Sequence, residues 1–271
     1  MANTLVLGAV AYDAKVVPIW DGFQAWFAKR DFAFDYVLYS NYESQVDAHL
    51  RGAFHVAWNS PLAWIEAARI AKKRGLKAEA FAMRDTDRDL KSVVIVREDS
   101  PVKSLADLKG KRVGVGAADS PQATLIPLLS FAEAGIDVQA VRHDVLVGKH
   151  GDHIGGERDA VKALLAGTVD AACVIDGNRV AFAREGLGPT RVIHATGAYD
   201  HCNMTLLGDM TPAVARFREL LLSMSYDDPE VRPLLDMEGL KVWVAGRTSG
   251  YELLERACDR FGTIESWLAA R

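Results

Sequence analysis

Three times in its first seventy-five residues the chain runs from an apolar, β-prone segment through a short polar turn into a segment of helical periodicity. Thr4–Val10 reads as the first strand, followed by the loop Ala11-Tyr12-Asp13-Ala14-Lys15 and a helix near Pro18–Arg30. In that helix Ile19, Phe23, Trp26 and Phe27 recur on one face. Phe34–Tyr39 reads as the second strand, and Ser40 or Asn41 caps a helix running to about Leu50. Phe54–Trp58 is a third, short strand. It stops at Asn59-Ser60-Pro61, where a capping side chain followed by proline in the first turn starts a helix to about Arg74. A β-α-β-α-β-α succession of this kind has one economical solution, an α/β sheet wound with helices.

The remainder continues the pattern. Strands are expected at Lys77–Met83, Ser92–Arg97, Arg112–Gly116, Val138–Asp144, Ala171–Ile175, Thr190–Ala195 and Asn203–Leu207, and the apolar segment Leu240–Val244 is flanked by helices. A short helix is expected within Ser104–Arg112, and further helices from the loop Ala117–Gln122 to about Ala134, from about Glu157 to Leu165, and over Pro212–Met224, Val231–Asp236 and Tyr251–Phe261. A chain of 271 residues fits two lobes of ordinary domain size. The formal net charge is -4 and no basic stripe interrupts the sequence, which argues against nucleic acid as partner. No apolar run is long enough to cross a bilayer, so membrane insertion is not expected. The amino terminus enters a strand pattern at once, without the basic, apolar and small-residue succession of a secretory signal. As the sequence stands this predicts a cytoplasmic protein, or a periplasmic or lipid-anchored one if a signal was removed. Cys173, Cys202 and Cys258 are odd in number and widely spaced, which is no disulfide framework.

Four stretches carry a resemblance to a known family. They are Asn41-Tyr42 to Leu50-Arg51-Gly52 with Ala57-Trp58-Asn59-Ser60-Pro61-Leu62-Ala63; Ser104-Leu105-Ala106-Asp107-Leu108-Lys109-Gly110-Lys111; Ala160-Val161 with Leu165-Ala166-Gly167-Thr168-Val169-Asp170-Ala171-Ala172; and Asp227-Asp228-Pro229 with Gly250-Tyr251. In this order they resemble the phosphonate-type solute-binding proteins of ABC transporters. The resemblance implies the type-two periplasmic-binding-protein fold: two α/β lobes, joined by two crossing hinge segments, with a small anion held between them. On that reading residues 1–92 with 203–271 form one lobe and residues 93–202 the other. Where that family offers a Ser-Thr-Ser-Gly-like turn, this chain has Asp119-Ser120-Pro121-Gln122-Ala123-Thr124.

The expected binding residues lie where strands end and helices begin, because unpaired N–H groups and the helix dipole attract anions there. Tyr12, Tyr42 and Trp58 are expected as ligand walls, with Tyr39 at a neighbouring strand end. Asn59, Ser60, Ser120, Gln122 and Asp176 are expected as polar contacts at strand ends. Plain helix capping is the other reading of the serines, and their joint placement in the implied cleft fold favours the ligand role for Ser60 and Ser120. His150 and His153, in the loop Lys149-His150-Gly151-Asp152-His153-Ile154-Gly155-Gly156-Glu157, are ligand candidates, and the resemblance aligns a binding histidine best with His153. The same loop offers His150, Asp152, His153 and Glu157 to a metal, without compact tetrahedral spacing.

Two functions fit. The first is a solute-binding protein that closes on a phosphonate-like, sulfonate or carboxylate anion, with no cofactor and, if exported, an ABC permease as partner. The second is a cytoplasmic enzyme on the same scaffold, with Cys202 as nucleophile or proton donor and His153 or His201 as its acid–base partner. Adjacent strand residues point to opposite faces, so His201 and Cys202 need not touch. Buried packing is the other reading of Cys202. Glycine-rich dinucleotide and Walker loops, the Gly-x-Ser-x-Gly elbow and His-Glu-x-x-His are all absent.

Overall fold

Apolar alternation and capping residues produce eleven strands and ten α-helices in the computed structural model, which describes residues 4–144 and 153–269. In chain order they are β1 (Leu5–Val10), α1 (Val16–Ala28), β2 (Phe34–Tyr39), α2 (Tyr42–Leu50), β3 (Val56–Asn59), α3 (Pro61–Lys73), β4 (Ala78–Arg84), β5 (Ser92–Arg97), β6 (Arg112–Val115), α4 (Ile126–Glu133) and β7 (Gln139–Arg142). Then follow α5 (His153–Leu165), β8 (Ala171–Ile175), α6 (Asp176–Arg184), β9 (Thr190–Ala195), β10 (Asn203–Leu207), α7 (Pro212–Leu222), α8 (Arg232–Glu238), β11 (Trp243–Ala245), α9 (Glu252–Phe261) and α10 (Thr263–Ala269).

The chain forms two units, each with its own sheet. The first comprises residues up to 88 together with 200–251. Its six strands are ordered β11-β4-β10-β3-β1-β2; β1 runs parallel to β2 and β3, and β10 runs antiparallel to β3 and β4. Its main core joins the helical stripe Ile19, Phe23 and Phe27 of α1 to Phe217 and Leu221 of α7 and Trp243 of β11. The aromatic cluster is continuous, Phe34 lying stacked on Phe217 at 5.6 Å.

The second unit comprises residues 89–199 together with the tail from 252. Its strand order is β7-β6-β8-β5-β9, with β6 parallel to β7 and β8, and β5 antiparallel to β8 and β9. The tail departs from the expected arrangement, which kept residues to 271 with the first lobe. Leu254, Ala257 and Cys258 give α9 a fully buried apolar face, and α9 packs against α4 of the second unit. The chain therefore changes unit three times: after Arg88, after Tyr199 and after Tyr251. At the first two changes the outgoing and returning segments are paired. Leu90 and Tyr199 exchange backbone hydrogen bonds of 2.8 and 2.9 Å, and His201 N donates to Asp87 O at 2.8 Å.

Candidate functional site

In the first unit the end of β4 and the segment before β10 converge on one buried charge cluster. Arg84 forks onto Asp87, with Nε 2.5 Å from Oδ2 and Nη2 3.0 Å from Oδ1. Its remaining nitrogen, Nη1, reaches the Glu238 carbonyl at 2.7 Å and the Glu238 carboxylate at 3.3 Å. The guanidinium lies 5.2 Å from the Trp58 ring. Side-chain exposure is 18% for Arg84 and 3% for each carboxylate, so these charges are compensated by one another rather than by water. Burial alone would raise the Asp87 carboxyl; Arg84 and the hydrogen bond from His201 outweigh it and hold it at about 2.

His201 and Cys202 do meet. His201 Nδ1 is 3.2 Å from Cys202 Sγ and 3.5 Å from Asp87 Oδ1. Strand alternation does not separate them because both precede β10, in irregular backbone. Cys202 is nevertheless 8% exposed. Burial pushes its thiol well above the usual range, and the Asp87 and Glu238 carboxylates add to this, with Arg84 alone opposing. That is the reverse of the electropositive setting that makes a thiol nucleophilic.

Several expected ligand contacts serve the scaffold. Asn59 is 1% exposed and lies in a buried relay: Gln45 Nε2 donates to Asn59 Oδ1 at 2.7 Å, and Asn59 Nδ2 donates to Thr205 Oγ1 at 2.8 Å. Thr205 donates to Asn203 at 2.7 Å, Asn203 to the Tyr251 hydroxyl at 2.8 Å, and that hydroxyl to His201 O at 2.8 Å. The relay locks β3, β10 and the loop before α9 together, and it fixes the backbone that carries His201. Trp58 is buried edge-on against Trp243 at 5.6 Å, and Tyr42 is buried among Val10, Val46, Ala63 and Ala67. Tyr12 is the open one of the expected walls, about half exposed. Ser60 caps α3, its Oγ accepting from Ala63 N at 3.3 Å.

In the second unit Ser120 is fully buried and caps the π-helical turn Pro121–Leu125 that leads into α4. Its Oγ accepts from Ala123 N at 3.2 Å, and its carbonyl accepts from Thr124 N and Leu125 N. Gln122 Nε2 donates to Glu157 Oε1 at 3.1 Å, and Glu157 Oε2 accepts from Ile175 N at 2.8 Å and Asn178 Nδ2 at 3.1 Å. Asp176, expected in the site, is exposed at the start of α6 and pairs with Arg179 at 3.1 Å. The same capped turn borders a cavity of about 400 Å³, lined by Asp119, Thr124, Arg142, Ser266 and Trp267 among others. Thr124 is 3% exposed, and its hydroxyl has no hydrogen-bond partner among the described residues. This hydroxyl and Arg142 were not singled out in the sequence. The pattern that could have found them is a threonine in the first turn after a strand, beside a basic residue at the next strand's end. His150 lies outside the described residues; α5 begins at His153, whose side chain also lies outside them.

Residues 10–251 match the family of phosphonate ABC transporter periplasmic substrate-binding proteins. The chain belongs to this family. Solved structures agree on the fold. The methylphosphonate-bound PhnD1 of Prochlorococcus marinus is 18% identical, covers 96% of this chain and 98% of its own, and superposes with a TM-score of 0.68. An ATP-bound protein of Xanthomonas citri is also 18% identical, with coverage of 98% and 99% and a TM-score of 0.67. The aliphatic sulphonate binding protein SsuA of Escherichia coli is 19% identical, with coverage of 99% and 89% and a TM-score of 0.58. These similar folds bear different ligand names, so the fold alone does not name a solute.

Proposed function

We propose that this protein is the solute-binding component of an ABC transporter, that it holds a small organic oxyanion of the phosphonate type, and that its protein partner is the permease. The family match across residues 10–251 carries the reading. Membership also supports a periplasmic site of action over the cytoplasmic one suggested by the amino terminus. Among the described residues no helix is long and apolar enough to cross a membrane.

The cavity beside the capped turn supports the ligand class. Arg142 brings positive charge, and the buried Thr124 hydroxyl brings a donor that an oxyanion would satisfy. Asp119 at the same cavity accepts hydrogen bonds, which suits a phosphonate still carrying one proton. The buried cluster of the first unit offers no net positive charge, since Arg84 is answered by two carboxylates. The enzyme reading finds no support at Cys202, because its surroundings hold the thiol protonated.

The test is thermal denaturation with methylphosphonate, ethanesulfonate, phosphate or succinate. A ligand at a hundred times its Kd stabilises the folded state by about 2.7 kcal/mol. The expected result is stabilisation by methylphosphonate that is weakened in Thr124→Val and Arg142→Gln. Absence of stabilisation by every anion would refute the function. Stabilisation that is unchanged in both variants would refute the location.

A further inference from the structure

Asp87, His201 and Cys202 form the one group of three described residues whose potential metal-ligating atoms all lie within 4.8 Å of one another. A tetrahedral ion with bonds of about 2.0–2.3 Å sets its ligand atoms about 3.3–3.8 Å apart. The His201–Cys202 and His201–Asp87 separations of 3.2 and 3.5 Å are close to such edges before any ion is added. We propose that these three side chains bind a borderline-soft divalent cation of the zinc type, with one coordination position left open.

Three further observations support the assignment. The ligands are positioned by backbone: His201 N donates to Asp87 O at 2.8 Å, and the Tyr251 hydroxyl donates to His201 O at 2.8 Å. Arg84 supplies the outer contact that metal-bound carboxylates commonly have, donating to Asp87 Oδ2 at 2.5 Å and to Oδ1 at 3.0 Å, while a second lone pair of Oδ1 remains for an ion on the His201 side, 3.5 Å from Nδ1. Charge also balances. With the thiol intact, the two carboxylates exceed the single guanidinium by one negative charge. When a divalent cation binds, the Sγ–H bond breaks, its proton leaves to solvent and a metal–thiolate bond forms, so the cluster becomes neutral. The His201 side chain is 22% exposed, which leaves a route inward. Such an ion would staple the segment by which the chain leaves the first unit to the segment by which it returns. None of this depends on the anion reading, and it stands or falls separately.

The experiment is titration of metal-stripped protein with Co²⁺, followed by absorption. The expected result is a near-ultraviolet thiolate-to-cobalt band that saturates at one ion per chain. The band should be lost in Cys202→Ser and kept in Cys173→Ala and Cys258→Ala. His201→Gln should weaken Co²⁺ affinity by roughly tenfold or more, and this variant carries the test if Cys202→Ser does not fold. No band at stoichiometric Co²⁺, a band that survives Cys202→Ser, or unchanged affinity in His201→Gln would each overturn the proposal.

Discussion

Replacing Arg84 by methionine should destabilise the first unit by about 3–5 kcal/mol, the cost of stranding a buried charge without its partner. The structure shows why the value belongs in that range. Arg84 makes two hydrogen bonds to Asp87 and two to Glu238, and both carboxylates are withdrawn from water. Methionine keeps the apolar stem over Trp58 but leaves two like charges facing one another. Arg84→Lys retains the charge and loses the fork, so its expected cost is smaller, about 1.5–3 kcal/mol. The assay is urea denaturation followed by tryptophan fluorescence. Trp20, Trp26, Trp58, Trp64 and Trp243 lie in the first unit and Trp267 in the second, so the signal reports chiefly on the unit being perturbed. The denaturation midpoint should fall with little change in slope. A loss under about 1 kcal/mol in Arg84→Met would refute the reasoning, because surface ion pairs are worth that little and buried ones are not.

Other outcomes follow from the same geometry. His49, stacked on Phe54 at 4.8 Å, has its pKa lowered by burial from 6.5 to about 4. The unfolded chain therefore takes up a proton first, and stability is intact above about pH 6.5 and declines toward pH 4 by about 3 kcal/mol in all. Comparing denaturation of wild type and His49→Phe across that range checks it, and an equal pH slope in both would count against it. Gly250→Ala would place a Cβ 1.9 Å from the Asp200 carboxylate that Arg247 grips at 2.6 Å. We expect a loss of about 1–3 kcal/mol, seen as a lower Tm of the tryptophan transition; an unaltered Tm would refute it. All three cysteines are buried outside any disulfide, and burial pushes the Cys173 thiol up to about 12. None should react with a disulfide reagent at pH 7 until urea is added, and a fast native thiol that disappears in Cys202→Ser would restore the enzyme reading.

The sequence conveyed the fold well because the fold rests on local signals. Asn41, Ser60 and Ser120 cap the helical segments that their positions predict, and each apolar run expected to be a strand pairs in a sheet. Two helices escaped for physical reasons. The segment Asp176–Arg184 has a polar composition with Phe182 as its buried apolar anchor, and Thr263–Ala269 is barely two turns long. The site was harder to read because its chemistry depends on distance rather than order. Asn59 carries every mark of a ligand contact at a strand end, yet its amide is committed to Gln45 and Thr205, the latter 146 residues away. Arg84 and Glu238 passed unnoticed because each is an ordinary charged residue in its own neighbourhood, and they meet only when β4 and α8 pack in the first unit. Their meeting decides the character of the unit. It consumes the buried cation that would otherwise attract an anion, and it surrounds Cys202 with carboxylates. A thiol in that setting is a poor nucleophile toward an anionic substrate, but with Asp87 and His201 it is well placed for a cation, and the cobalt titration separates these two fates of one cysteine.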